Sequence, residues 1–136
     1  MRIAFTALLL SAALSGGAGA QEREGPAIAA VIDDQLADFI ARDLDGAFDH
    51  ASRTIRRMFG NAASFGAMVE HGYPMVWDNS GAHYLDLREQ GDVWWQRVML
   101  RDARGVPHVL EYKMIETPQG WRIDGVSLVA GPQVGV

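Results

Sequence analysis

"EQGDVWWQRVMLRDARGVPHVLEYKMIETPQGW", residues 89–121, carries three glycine-bearing turns at hairpin spacing. They are "EQGD" at 89–92, "DARG" at 102–105 and "TPQG" at 117–120. The segments around them are rich in β-branched and aromatic residues. Four antiparallel strands are therefore expected, at about 82–89, 92–102, 106–116 and 121–129.

Turn length sets register, and register decides which side chains share a face. A two-residue turn at Gln90-Gly91 predicts Leu87 opposite Trp94, Leu85 opposite Gln96 and His83 opposite Val98. A turn at Asp102 with Gly105 left-handed predicts Val98 opposite Leu110, Gln96 opposite Tyr112 and Trp94 opposite Met114. The "TPQG" loop brings Ile123 opposite Met114. One face then collects Leu85, Leu87, Trp94, Val98, Leu100, Leu110, Met114, Trp121 and Ile123. In the last strand, Trp121 and Ile123 share one phase while Val126 and Leu128 share the other. A bulge or bend at Gly125 reconciles them and curves the sheet.

Upstream the apolar period changes from two to 3.6. Ile28, Val31, Ile32, Leu36, Phe39, Ile40 and Leu44 follow i, i+3, i+4, i+7 spacing, predicting an amphipathic helix with Pro26 near its first turn. Asp45-Gly46 is read as its break, followed by a short helix at "AFDHAS". Ser52 suits the N-cap of "RTIRRMF", which stops at Gly60, and Asn61 suits the N-cap of "AASFGAMVEH". In "HGYP", Gly72 is expected left-handed and Pro74 to stop the helix, with the Tyr73 ring closing the core at the junction. Helices followed by strands give an α+β fold: N-terminal helices packed on a curved antiparallel four-stranded meander.

The first residues, Met1-Arg2 followed by "IAFTALLLSAAL" and "SGGAGAQE", have the n-region, short h-region and Ala18-Gly19-Ala20 cleavage pattern of a secretory signal. Residues 1–20 are read as a removed signal peptide, 21–130 as one domain and 131–136 as a frayed tail. The expected location is the periplasm, or the medium, after cleavage near Ala20. No second apolar segment is long enough to span a membrane. The chain has no cysteine, which excludes disulfides, thiolate metal sites and a cysteine nucleophile. A formal charge of −5 argues against nucleic-acid binding. All basic residues but Lys113 are arginine, as in GC-rich bacterial genomes.

The runs "AIAAVIDDQLADFIARDLDGAFDHAS", "IRRMFG", "FGAMVEHGYPMVW", "QRVMLRDARG" and "GWRIDGV" resemble domain of unknown function 4864, a family of short bacterial exported or uncharacterised proteins. The chain departs from the family at Ser52-Arg53, where relatives carry Ser-Pro. The family in turn is similar to the nuclear-transport-factor-2-like, or SnoaL-like, superfamily. That resemblance implies a cone-shaped, cystatin-like fold with a pocket between sheet and helices, and frequent homodimers. It implies no activity, since the superfamily holds isomerases, dehydratases, binding domains and inactive scaffolds.

Polar residues on the expected core face are the candidates for function. Gln96 should face Tyr112 across the strands, within hydrogen-bond reach, with His83 on the diagonal and Trp94 beside them. His83, Gln96, Tyr112 and Trp94 are the candidate ligand-binding set. As catalysts, His83 would serve as base and Tyr112 as proton donor or oxyanion stabiliser. In the purely structural alternative, Gln96 and Tyr112 satisfy one another in the core. His108 follows a turn and belongs at the rim. Asp49-His50 cannot form a facing pair on a helix, and Asp49 is spaced to pair with Arg53 in the stripe Arg53, Arg56, Arg57. The histidines lack metal-ligand spacing, and neither a metal nor a cofactor is expected. The other sheet face mixes Trp95, Met99, Val109 and Ile115 with charges of both signs, which suits a homodimer interface. The expected function is an exported, non-enzymatic domain binding a small apolar or amphipathic molecule or a protein. The alternatives are a cofactor-free acid–base isomerase or dehydratase, and a structural module with a vestigial pocket.

Overall fold

The computed structural model describes residues 18–129. The expected signal peptide therefore lies almost wholly outside the described residues, as does the expected tail 131–136. Among the described residues five helices, α1 (Ala18–Ala41), α2 (Leu44–Asp49), α3 (Arg53–Phe59), α4 (Ala62–Gly72) and α5 (Pro74–Trp77), precede four strands. These are β1 (Ala82–Gln90), β2 (Val93–Arg101), β3 (Pro107–Thr117) and β4 (Gly120–Leu128). They form one antiparallel sheet in the order β1-β2-β3-β4, the expected α+β meander.

The expected stripe of α1 is its buried stripe except at Ile40, which is 51% exposed. Ile28, Ile32, Leu36 and Phe39 pack against Val98, Leu100, Leu110, Tyr112 and Met114 in one core. Burying each such side chain stabilises the fold by about 1.5–3 kcal/mol. Tyr84 Oη ties β1 to α1, donating to the Ala29 carbonyl at 2.9 Å and lying 2.6 Å from Asp33 Oδ1.

Both ends of α1 differ from expectation. Pro26 lies inside the helix, because the chain upstream of it is also helical. The helix ends at Ala41 rather than Leu44, and Gly46 sits within α2. The break falls at Arg42, which adopts φ +56 without being glycine. Its guanidinium compensates by binding the carbonyls of Phe39 and Trp77 at 2.8 and 2.7 Å and Asp78 Oδ1 at 2.6 Å, with its carbon 4.0 Å from the Trp77 ring centroid. Asp43 then caps α2 by accepting from the Gly46 amide at 3.0 Å. That side-chain cap is why "DLDG" starts a helix instead of ending one.

The other caps follow the sequence. Ser52 and Asn61 accept from the Ile55 and Ser64 amides at 3.2 and 2.8 Å, and Gly60 closes α3 at φ +81. "HGYP" needs correction. Gly72 is the last helical residue and does not take positive φ, while Pro74 opens α5, where proline's missing N–H is harmless. Tyr73 lies half-buried against the core and its Oη donates to the Val126 carbonyl at 3.1 Å, joining helices to sheet as expected.

Registers between β2 and β3 and between β3 and β4 match expectation: Val98 faces Leu110, Gln96 faces Tyr112, and Met114 faces both Trp94 and Ile123. The expected irregularity at Gly125 is a bulge, since Met114 pairs with Ile123 while Lys113 pairs with Gly125. Asp124 is the extra residue. The β1–β2 register is different. The turn is Gly91-Asp92, with Gly91 at φ +62, so Leu87 faces Gln96. A second bulge at Leu85-Asp86 reverses the phase beyond it: Tyr84 faces Val98 and His83 faces Met99. Leu85 is consequently 46% exposed rather than in the core.

The segment His50–Ser52 runs beside β4. The Ser52 amide donates to the Ile123 carbonyl and the Ile123 amide to the His50 carbonyl, both at 2.8 Å. This short parallel bridge roots α3 on the sheet.

Candidate functional site

A cavity of about 230 Å³ lies between the inner face of β3–β4 and the helices. Phe39, Ile55, Met58, Phe59, Phe65, Met68, Val69 and Val76 supply helical walls, and Tyr112, Ile123 and Val126 the sheet wall. Helix α3 presents Ile55, Met58 and Phe59 to it but has no fully buried residue, and Met58 is 68% exposed at the mouth. Phe65 anchors the aromatic wall, with Phe39, Phe48 and Phe59 at centroid distances of 5.9, 5.4 and 5.7 Å. The β4 bulge matters here: it returns Val126 to the face that Ile123 occupies.

Three lining residues carry polar side chains. Gln35 Nε2 donates to the Ala47 carbonyl at 3.0 Å, and Tyr73 Oη donates to Val126. Tyr112 is fully buried and its hydroxyl has no hydrogen-bond partner among the described residues. Burial first, and the neighbouring Tyr73 second, hold its pKa well above the ordinary phenol value. The phenol is therefore a neutral donor. Among the described residues, no lysine, arginine, histidine, aspartate or glutamate lines the cavity.

Of the expected ligand set, only Tyr112 reaches this space. Gln96 is buried and pairs with Tyr112 in register, yet no hydrogen bond joins them. Gln96 Nε2 instead fills the β1 bulge, donating to the Leu85, Asp86 and Arg97 carbonyls at 3.2, 3.3 and 2.8 Å. Trp94 packs edge-on against Trp121 at 6.2 Å. His83 is exposed on the outer face, so it and Tyr112 stand on opposite sides of the sheet. His108, near the start of β3, pairs with Asp102 of the β2–β3 loop at 2.9 Å, and His50 lies 3.4 Å from Asp38.

Asp49 makes no ion pair with Arg53 among the described residues; Arg53, Arg56 and Arg57 surround a shallow surface recess with Phe48 and Gly60. The outer face of the sheet is laced with ion pairs: Arg88 with Glu111, Arg97 with Glu111 at 3.7 Å and Lys113 with Asp124 at 3.1 Å. Among the described residues no cluster of three or more His, Asp or Glu could hold a metal, and no helix is long and apolar enough to cross a membrane.

Sequence reasoning missed Gln35, Ala51 and Val76 in the cavity lining and, above all, Ile55, Met58 and Phe59 of α3. The i, i+3, i+4 spacing of these α3 residues opposite the arginines was the available signal.

A family model described as domain of unknown function (DUF4864) matches residues 21–136. The chain belongs to this family. No curated protein matches it. Among solved structures, this DUF4864 chain is similar to the solution structure of a SEC-C motif containing protein from Rhodopseudomonas palustris. The two share 16% identity and a TM-score of 0.56, over 82% of this chain and 88% of the other. At that identity the likeness concerns the fold alone.

Proposed function

We propose that this DUF4864 protein is an exported, non-enzymatic binding domain that holds a small apolar molecule between its helices and sheet. The observation that carries the proposal is the cavity of about 230 Å³, walled almost entirely by apolar side chains and open beside Met58. An apolar space with few polar groups is the usual form of a small-molecule site. The acid–base alternative lacks a base beside Tyr112, since among the described residues no histidine or carboxylate lines the cavity. Export is supported by the signal-like pattern of residues 1–20 and by a family match that begins at Gln21. Half-buried Trp95, Met99, Val109 and Ile115 on the outer sheet face support a homodimer. The cavity between sheet and helices also fits a cone-shaped, nuclear-transport-factor-2-like reading.

The test is mass spectrometry of small molecules released from protein purified out of its native host, coupled to a thermal-shift screen of apolar metabolites. A co-purifying molecule that raises the melting temperature supports the proposal. A cavity that stays empty and a screen without stabilising compounds would leave a vestigial pocket or a protein partner as the better reading. Fusion of residues 1–20 to a reporter active only outside the cytoplasm tests export separately.

A further inference from the structure

We infer that helix α3 docks this protein onto an anionic phospholipid bilayer, with Arg53, Arg56 and Arg57 meeting lipid phosphates and Met58 entering the interface. The inference goes beyond the cavity reading and does not depend on what the cavity holds.

Charge is the first observation. Residues 52–69 contain three arginines and no aspartate or glutamate, in a chain whose formal charge is −5. None of these arginines forms an ion pair among the described residues, whereas Arg88, Arg97 and Lys113 on the outer sheet face are all paired. Arg53, Arg56 and Arg57 surround one shallow recess, and among the described residues no carboxylate lines it. A basic surface on an acidic molecule turns that side toward a negative partner.

Exposure is the second. Arg53, Thr54, Arg57 and Met58 are the exposed residues of α3, and their i, i+1, i+4, i+5 spacing puts them on one face of the helix. Met58 is the most exposed large apolar side chain among the described residues. It also lines the cavity, so the mouth opens at the border of this face. The first two turns of α4 expose only Ala63, Ser64 and Ala67, which are small and uncharged. A free phosphate would use the arginines and gain nothing from Met58. A bilayer uses both: its phosphates pair with the guanidiniums, while Met58 and the arginine stems reach the acyl boundary.

The full mature chain is mixed with vesicles of phosphatidylcholine alone, or with one-third phosphatidylglycerol, and binding is read by co-sedimentation. The expected result is binding to the mixed vesicles only, weakened by salt. Arg53→Gln and Arg57→Gln should each lower that binding roughly fivefold. Both side chains are exposed, so these variants should keep the wild-type melting temperature. The chain lacks cysteine, so Met58→Cys takes a single environment-sensitive dye whose emission should shift to the blue on mixed vesicles. The same dye at Glu89→Cys, exposed in β1 at the opposite edge of the sheet from β4, should not respond.

No binding to mixed vesicles, equal binding to both kinds, or binding insensitive to the two arginine changes would overturn the docking. So would a dye that responds at Glu89→Cys and not at Met58→Cys. If poly-glutamate binds with the same arginine dependence and mixed vesicles do not, the face takes an acidic protein segment and the lipid assignment is refuted.

Discussion

Replacing Tyr112 by phenylalanine should stabilise the ligand-free protein, although most substitutions in a core destabilise. The hydroxyl is fully buried and has no partner among the described residues. Such an unsatisfied group costs about 1–3 kcal/mol, while deleting one oxygen from a packed site forfeits only ~0.3 kcal/mol on the cavity scale. The net expected gain is about 1 kcal/mol or slightly more, or roughly 4 °C in melting temperature for a domain of this size. Urea unfolding followed by tryptophan fluorescence measures it, with the midpoint rising and the slope unchanged. The same chemical change at Tyr73 removes the hydrogen bond to the Val126 carbonyl and should cost about 1 kcal/mol. Opposite signs from two identical edits are the signature to look for. If Tyr112→Phe lowered stability by as much as Tyr73→Phe does, the hydroxyl must have a partner and the reasoning is refuted. The phenol also has a sign in pH. Its folded pKa is raised, so its contribution is fully present below the unfolded value of about 10 and is lost as pH rises beyond it. Tyr112→Phe should therefore flatten the alkaline fall in stability.

Three further outcomes are expected. Arg42→Ala should cost about 2 kcal/mol, since it keeps the left-handed backbone and loses the bonds to Phe39, Trp77 and Asp78; Arg42→Gly should cost about 1 kcal/mol less, as read by urea midpoints. Ser52→Ala removes the cap of α3 and the 2.6 Å hydrogen bond to Asp124 Oδ1 from a buried site, and should cost about 2–3 kcal/mol by thermal unfolding. Asp102 is held below the usual carboxylate range chiefly by the His108 ring, then by the amides of Val106 and Arg104. Its stabilising effect is present above the unfolded pKa of about 3.9 and is lost as pH falls through the lower folded value. Carboxyl carbon titration should show the Asp102 midpoint rising in His108→Ala.

The sheet was legible wherever a turn residue pinned the register. Gly105 at φ +80 and the "TPQG" turn made the pairings of Val98, Met114 and Ile123 readable in advance. The phase change between Ile123 and Val126 announced the β4 bulge. The β1 bulge left a similar trace, since Ala82 and Tyr84 hold one phase and Leu85 and Leu87 the other, but extending the phase of Leu85 and Leu87 back to His83 hides it. His83 and Leu85 were consequently assigned to the wrong face, and the candidate base went with them. Gln96 was read correctly as buried, but its partners are the Arg97 carbonyl and the two carbonyls of that same bulge. The helical wall failed for a different reason. Ile55, Met58 and Phe59 have helical spacing, yet a three-residue apolar pattern on a short helix does not say which surface it faces. Tyr112 was identified, whereas its lack of a partner depends on where Gln96 points and could only come from coordinates.

The β4 bulge also places a constraint on the chain's length. Ile123 and Val126 are three residues apart and wall the same cavity, which the alternation of a regular strand forbids. The extra residue between them, Asp124, accepts from Ser52 and pairs with Lys113. Losing a single codon there would turn Val126 outward and detach the root of α3 in the same step. The residue count of this segment is thus as much a part of the cavity wall as the side chains it carries.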